Sequence, residues 1–132
     1  MKQLFVIILV LSLATAMAMA QRKPCRPARH AKLPRVTGLT YQRARRILLE
    51  AGWQPLKTKS SATDVDISYG NGPLFWRKGY IELEACSGTG VAACAFLFKD
   101  AFGNRLRVNT GGEELPDERI HARVNRLRFV CD

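Results

Sequence analysis

Glu82 and Glu84 are the residues whose type and spacing come nearest to catalytic machinery in this chain. They alternate with apolar residues, so a strand would present both carboxylates on one face, as the acid pair of a retaining glycosidase requires. Arg126 and Arg128 have the same spacing near the C-terminus. Cross-strand ion pairs between the two segments are the plainer explanation, and we interpret the glutamates as structural.

Other residues that could support catalysis or metal binding lack partners in the sequence. His30 lies in a basic segment, and His121 has no recognisable acid–base partner. The glycines of CSGTGVAAC lack the lysine and hydroxyl residue that end a phosphate-binding loop. The cysteines contain no C-x-x-C pair, which disfavours zinc. We therefore expect no catalytic residue, no metal and no cofactor, and a chain that is not an enzyme.

The four cysteines predict two disulfide bonds instead. Cys86 and Cys94 bracket a short loop between two strand-like segments, where a bridge would pin a hairpin. If that bridge forms, elimination pairs Cys25 with Cys131. Four cysteines allow three connectivities, so the second pairing depends on the first.

The N-terminal segment predicts export. Lys2 precedes an apolar run over residues 4–13 and a small-residue site ending at Ala20, which is the order of a cleavable signal peptide. That run is too short for a stable membrane anchor, and no later segment approaches about 18 apolar residues. We predict a signal peptide over residues 1–20, no transmembrane segment after cleavage, and a periplasmic or secreted location.

Positive charge is concentrated early in the mature chain. The formal net charge is +10, and residues 21–57 hold ten Lys or Arg and one acid, whereas residues 58–132 hold ten of each sign. A one-sided positive field favours anionic partners, here cell-wall polymers, lipopolysaccharide, membrane surfaces or nucleic acid. Residues 21–32 are predicted as an extended basic arm, for which a merely solubilising role is an equal alternative.

Part of this charge lies on a predicted helix over residues 41–51. Thr40 suits its N-cap and Gly52 its C-terminal stop. Arg43 and Arg46 fall on the solvent side, where Arg46 can pair with Glu50. The buried stripe is predicted from three- and four-residue spacing and consists of Ala44, Ile47, Leu48 and Ala51.

Downstream of the helix the apolar period changes to two. Residues 80–85 alternate, which predicts Ile81, Leu83 and Ala85 inward and the glutamates outward. Residues 94–98 are apolar on both faces and predict a central strand, followed by a hairpin turn at Gly103 and a last strand ending at residue 131. The fold class is therefore α+β: one N-terminal helix packed on a small, mostly antiparallel sheet, stapled by disulfides, in a single domain over residues 33–132.

The segment LPRVTGLT, residues 33–40, resembles the start of a PASTA domain, a module repeated outside the membrane in penicillin-binding proteins and serine/threonine kinases. The family pattern V-P-x-V-x-G-L is followed by a hydroxyl residue and a helix ending L-x-x-A-G. A looser match continues through Gly72-Pro73 and Lys78-Gly79. The resemblance covers residues 33–85 and implies a helix against a small sheet and binding of peptidoglycan. Residues 86–132, a β-rich half, depart from the family.

These patterns together predict an exported, non-enzymatic binding module of the bacterial cell envelope, which engages peptidoglycan or another anionic envelope polymer through its basic helix. Guanidinium forks at Arg35, Arg43 and Arg46 could hold muropeptide carboxylates, and Trp76 could hold a sugar ring. Trp53 is interpreted as packing. The alternative is a protein-interaction module, such as an inhibitor of a wall hydrolase or an accessory factor of an envelope complex. Specific nucleic-acid binding would explain the charge but not the export.

Overall fold

The computed structural model describes residues 25–131. It is an α+β structure, as predicted, in which one main helix accompanies a five-stranded antiparallel sheet. The helices are α1, Tyr41–Glu50, and a shorter α2, Gly72–Arg77. The strands are β1, Gln54–Pro55; β2, Leu83–Cys86; β3, Cys94–Lys99; β4, Arg105–Gly111; and β5, Arg123–Val130. The predicted signal peptide and residues 21–24 of the arm lie outside the described residues.

Helix α1 has the boundaries that its flanking residues predict. The Thr40 hydroxyl accepts a hydrogen bond from the backbone N–H of Arg43 at 3.4 Å. Gly52 has φ +98°, a left-handed conformation that glycine adopts without steric cost. The buried residues of α1 are Tyr41, Ala44 and Leu48, with Ile47 and Ala51 partly buried beside them.

Helix α2 is absent from the sequence prediction because six residues are too short to show a helical period. Pro73 lies in its first turn, where a fixed φ and a missing N–H are tolerated. Phe75 is buried in the core, and Trp76 packs partly buried against it. Trp76 is therefore less exposed than its basic neighbours suggest.

Strand β3 is the centre of the sheet, as its doubly apolar sequence predicts. It pairs with β4 along one edge and with β1 and β2 along the other. Phe96 and Phe98 are fully buried on one face, and Leu97 on the opposite face is only 7% exposed. Beyond β4, strand β5 completes the order β1-β3-β4-β5.

The predicted alternation over residues 80–85 is confirmed at Leu83, which is fully buried, but is wrong at Ile81 and Glu82. Ile81 is 45% exposed, whereas Glu82 is fully buried. The reason is that the strand begins only at Leu83 and its register shifts before Ala85. Residues upstream form a tight turn, in which the N–H of Leu83 bonds to the carbonyl of Tyr80 at 3.0 Å, so a period of two does not apply there.

The hairpin between β3 and β4 turns where predicted. Gly103 has φ +84°. The buried Asp100 carboxylate organises the turn, since its Oδ1 accepts from the N–H groups of Phe102 and Asn104 at 3.0 and 2.9 Å. Its Oδ2 accepts from the N–H of Ala31 in the arm at 2.9 Å.

Both predicted disulfides are present. Cys86 and Cys94 face each other across the β2–β3 ladder with Cα atoms 4.1 Å apart. Cys25 and Cys131 have Cα atoms 6.0 Å apart and join the arm to the residue that follows β5. The core residues come from both the PASTA-like and the C-terminal halves and include Val36, Tyr41, Trp53, Phe75, Phe96, Phe98 and Leu106.

Candidate anion-binding surfaces

The three arginines of α1 serve different purposes. Arg43 and Arg46 are exposed, and neither forms an ion pair within residues 25–131. Arg45 turns toward the core, where its Nε donates to Glu82 Oε1 at 2.6 Å and its Nη2 to Oε2 at 3.4 Å. Only two of the three charges are therefore available to a ligand.

Glu82 is the carboxylate on which Arg45 depends. The Tyr41 hydroxyl donates to Glu82 Oε1 at 2.6 Å, and the Glu82 side chain is fully buried. Burial raises the pKa of Tyr41 well above its usual value, and the Glu82 charge and hydrogen bond raise it further, so the phenol stays a neutral donor. For Arg45, burial lowers the pKa, but the hydrogen bond and charge of Glu82 outweigh it and raise the pKa. This hydrogen-bond network therefore stabilises the packing of α1 on the core.

A shallow cleft of about 380 Å³, the helix cleft, lies beside this network. Arg45 also lies over the Tyr80 ring at 5.0 Å. Arg46 and Glu50 both line the cleft, but no ion pair joins them among the described residues, contrary to the sequence interpretation. The helix cleft is lined by Gln42, Arg45, Arg46, Leu49, Glu50 and Tyr80.

The four predicted ligand-binding residues are not gathered in one cavity. Of Arg35, Arg43, Arg46 and Trp76, only Arg46 lines the helix cleft. Arg35 is exposed before the buried Val36, and Trp76 lies on α2.

The other aromatic candidates divide between the core and the surface. Trp53 is fully buried, as its packing interpretation predicts, and its Nε1 donates to the Lys32 carbonyl at 2.9 Å. Tyr69 is 56% exposed.

A second basic surface lies where the arm meets the edge strand β5, and we call its cavity the arm–β5 cleft. It has a volume of about 390 Å³ and is lined by Cys25, Arg26, Leu33, Arg126, Leu127, Arg128 and Phe129. The three arginines are exposed, and none forms an ion pair within residues 25–131. Leu33, Leu127 and Phe129 line the apolar part of the cleft, which we call the apolar floor. Leu127 and Phe129 alternate with Arg126 and Arg128, so they lie on the other side of this edge strand and pack against the core.

The predicted pairing of Glu82 and Glu84 with Arg126 and Arg128 is wrong. Glu84 instead holds Arg107 of β4 in a two-point contact, with Nε–Oε2 2.6 Å and Nη2–Oε1 2.7 Å. The reason is topological: β2 pairs with β3 and β5 pairs with β4, so the two segments are not neighbours. Arg107 faces Arg128 across the β4–β5 ladder, and Glu84 offsets the like-charge repulsion.

A buried carboxylate in the β4–β5 connection supplies the partner that His121 lacks in the sequence. Glu114 is 6% exposed and accepts from Lys78 Nζ at 2.9 Å, His121 Nδ1 at 2.9 Å and the Ala122 N–H at 2.8 Å. Burial raises its pKa, but these three donors outweigh burial and lower it. A carboxylate with three donors and a lowered pKa is a weak proton acceptor, so the cluster anchors a loop.

Within the described residues, no helix is long and apolar enough to cross a membrane, and no group of three or more potential ligands could hold a metal ion. Comparisons with family models, with curated proteins and with solved structures find no match for the chain.

Sequence reasoning missed the arm–β5 cleft although the signals for it were present. Arg126 and Arg128 share one strand face by alternation. Arg26 follows Cys25, whose pairing with Cys131 places it beside the end of β5. Glu114 had no comparable signal, because its partners are Lys78, which follows α2, and His121 and Ala122, seven and eight positions later.

Proposed function

We propose that this chain is an exported, non-enzymatic binding module of the bacterial cell envelope. Its basic helix engages peptidoglycan or another anionic envelope polymer. The observation that carries this proposal is the pair Arg43 and Arg46, which are exposed on one helix and bear no ion pair among residues 25–131. Two-point contacts from guanidinium groups suit the carboxylates of muropeptides.

The distribution of acids supports the same function. Five carboxylates are engaged by four cations inside the structure: Glu82 with Arg45, Glu84 with Arg107, Glu114 with Lys78, and Asp64 and Asp66 with Lys59. Because the chain has 21 Lys and Arg against 11 Asp and Glu, these pairs leave the cations in excess. Such a surface attracts polyanions and accelerates their encounter.

Location and ligand class rest on two further arguments. Two disulfides are consistent with a chain that matures in an oxidising compartment such as the periplasm or the exterior. Peptidoglycan is preferred among the polyanions because residues 33–85 resemble a PASTA domain.

The test is co-sedimentation of the mature, oxidised protein with purified peptidoglycan sacculi across a salt series. We expect binding to survive moderate salt if guanidinium–carboxylate pairs are formed at close range, since only distant charges are fully screened. Arg43→Ala/Arg46→Ala should lower the affinity about tenfold. Lys57→Ala/Arg77→Ala removes the same number of exposed charges and is the matched control.

An equal loss of sacculi affinity in both double variants would show that the helix arginines contribute only through the net charge of the protein. Absence of sedimentation at low salt would overturn the proposal. Stoichiometric capture of one envelope protein would then favour the alternative role as an inhibitor or accessory factor.

A further inference from the structure

The arm–β5 cleft differs in its lining residues from the helix cleft. We propose that this cleft binds a phosphate group carried on a saccharide, with Arg26, Arg126 and Arg128 contacting the phosphate and the apolar floor contacting the carrier. The site lies apart from α1, because none of its lining residues belongs to that helix.

The number of arginines selects phosphate over carboxylate. A carboxylate has two oxygens and one negative charge, and one guanidinium in two-point contact satisfies it. A phosphate monoester has three strong acceptor oxygens and carries about −1.5 to −2 charges at neutral pH. Three cations that form no ion pair within residues 25–131, around one cavity of about 390 Å³, match the second group better.

The strand geometry fixes two of the three cations. Arg126 and Arg128 lie two residues apart on β5, so their Cα atoms are separated by about 7 Å along one face. Glu84 contacts this ladder through Arg107, and both of its carboxylate oxygens are already engaged by that residue. The two β5 guanidinium groups therefore remain available to an external anion.

The Cys25–Cys131 disulfide fixes the third cation. Hydrogen bonds hold the arm from residue 29 onward: the Arg29 carbonyl accepts from Asn104 Nδ2 at 2.7 Å, and the Ala31 N–H donates to Asp100 Oδ2 at 2.9 Å. Arg26 lies upstream of these contacts and directly follows Cys25. The covalent bond is therefore the contact that keeps Arg26 beside β5.

The apolar floor indicates that the phosphate has a carrier. Leu33 is 38% exposed, and Leu127 and Phe129 are partly buried. His30 packs against the Phe129 ring with centroids 5.0 Å apart and supports it from the arm side. An apolar floor next to concentrated positive charge suits the apolar face of a sugar ring that bears a phosphate.

The experiment is a titration of the mature, oxidised protein with glucose 1-phosphate, glucuronate and inorganic phosphate, followed by calorimetry and by amide chemical shifts. We expect glucose 1-phosphate to bind at least tenfold more tightly than glucuronate and several-fold more tightly than inorganic phosphate. Shifts should centre on β5 and residues 25–33. Equal affinity for glucuronate would overturn the phosphate assignment, and equal affinity for inorganic phosphate would overturn the role of the floor.

Variants test the residues. Arg126→Ala/Arg128→Ala should weaken glucose 1-phosphate binding more than tenfold, whereas Arg43→Ala/Arg46→Ala, which removes equal charge from α1, should change it less than twofold. Equal weakening by both variants would overturn the site. If the protein sediments with sacculi but does not bind glucose 1-phosphate, only the proposed phosphate site is refuted. If it binds glucose 1-phosphate but does not sediment with sacculi, only the proposed peptidoglycan binding is refuted.

The disulfide is tested in the same assay. Cys25→Ser/Cys131→Ser should weaken binding several-fold, as Arg26→Ala does, and adding Arg26→Ala to the serine variant should cause no further loss. Arg26→Ala leaves both disulfides intact, so it tests the third cation even if the serine variant folds poorly. Unchanged binding in Arg26→Ala would overturn the role of Arg26.

Discussion

The helix cleft and the arm–β5 cleft are both basic, but they are built by different means. On α1, beside the helix cleft, the charge is local in sequence. Arg45 supports the core through Glu82, and Arg46 lines the cleft whereas Arg43 does not. In the arm–β5 cleft the cations come from the arm and from β5, two segments that the Cys25–Cys131 disulfide joins. Each surface also rests on one buried carboxylate: Glu82 beneath α1, and Asp100 beneath the arm.

Charge density along the sequence therefore does not indicate how many unpaired cations a surface brings together. Among residues 25–131, the arginine-rich helix has two cations without an ion pair, near Glu50, whereas the arm–β5 cleft has three such cations and no acid in its lining. Substitutions at the buried carboxylates or their partners test what stabilises each surface. Substitutions at the exposed arginines test what binds the ligand.

The largest effect is expected at the support of the helix cleft. Arg45→Met would leave the Glu82 carboxylate buried with only the Tyr41 hydroxyl as a side-chain donor, and an uncompensated buried charge costs about 3–5 kcal/mol in the free energy of unfolding. Arg43→Met, two residues away but exposed, should change it by less than about 0.5 kcal/mol. Urea denaturation of the oxidised proteins measures both, and similar midpoints would refute the structural role of Arg45.

Substitution of Asp100, the carboxylate beneath the arm, should have the second-largest effect on the free energy of unfolding. This effect should depend on pH. Burial raises the pKa of Asp100, but hydrogen bonds from Asn104 and from the N–H groups of Ala31 and Phe102 outweigh burial and lower it. A carboxyl whose pKa is lowered by folding stabilises the folded protein at pH values above its unfolded-state pKa of about 4. This stabilisation is lost as the pH falls through the lower folded-state pKa.

Asp100→Asn should therefore cost about 2 kcal/mol at pH 7, because hydrogen bonds to a charged acceptor contribute about 1.5–3 kcal/mol. The difference from the unsubstituted protein should shrink below about pH 4. Thermal unfolding from pH 7 to pH 2 measures this, with Glu113→Gln as an exposed carboxyl control. A difference that is constant across the series would exclude a contribution from the Asp100 charge.

A crossed pair of binding assays then tests whether the two surfaces have different ligands. Arg43→Ala/Arg46→Ala should lower affinity for sacculi about tenfold and leave glucose 1-phosphate binding within twofold. Arg126→Ala/Arg128→Ala should do the reverse. Parallel losses in both assays would mean that each ligand responds only to the net charge of the protein.

The helix and the sheet could be predicted because local rules determine them. Thr40 and Gly52 bound α1 by capping, and the doubly apolar run of β3 identified the central strand. The pairing of Cys25 with Cys131 followed from elimination, without a local signal.

The contacts of the charged residues could not be predicted, because they depend on strand order. Alternation placed Glu82 outward, but a turn precedes β2 and buries it next to Tyr41. Glu84 was assigned to β5 because the spacing matched, whereas the sheet places β4 and its Arg107 within reach. Spacing identifies which side chains of one strand share a face. Only the strand order of the sheet determines which residues of another strand lie next to them.

The smallest expected effect distinguishes local charge from total charge at the helix cleft. Glu50 lines this cleft, and Glu113 lies in the β4–β5 connection and does not line it; both are exposed. Glu50→Gln and Glu113→Gln raise the net charge equally, but only the first removes a carboxylate that repels an incoming carboxylate at the proposed site. We expect Glu50→Gln to raise sacculi affinity by less than about twofold at low salt and Glu113→Gln to raise it less, because a carboxylate outside the cleft lining acts on the ligand through more screening solvent. Equal gains in the two variants would show that sacculi respond to the overall field, and the helix cleft would then have no privileged role.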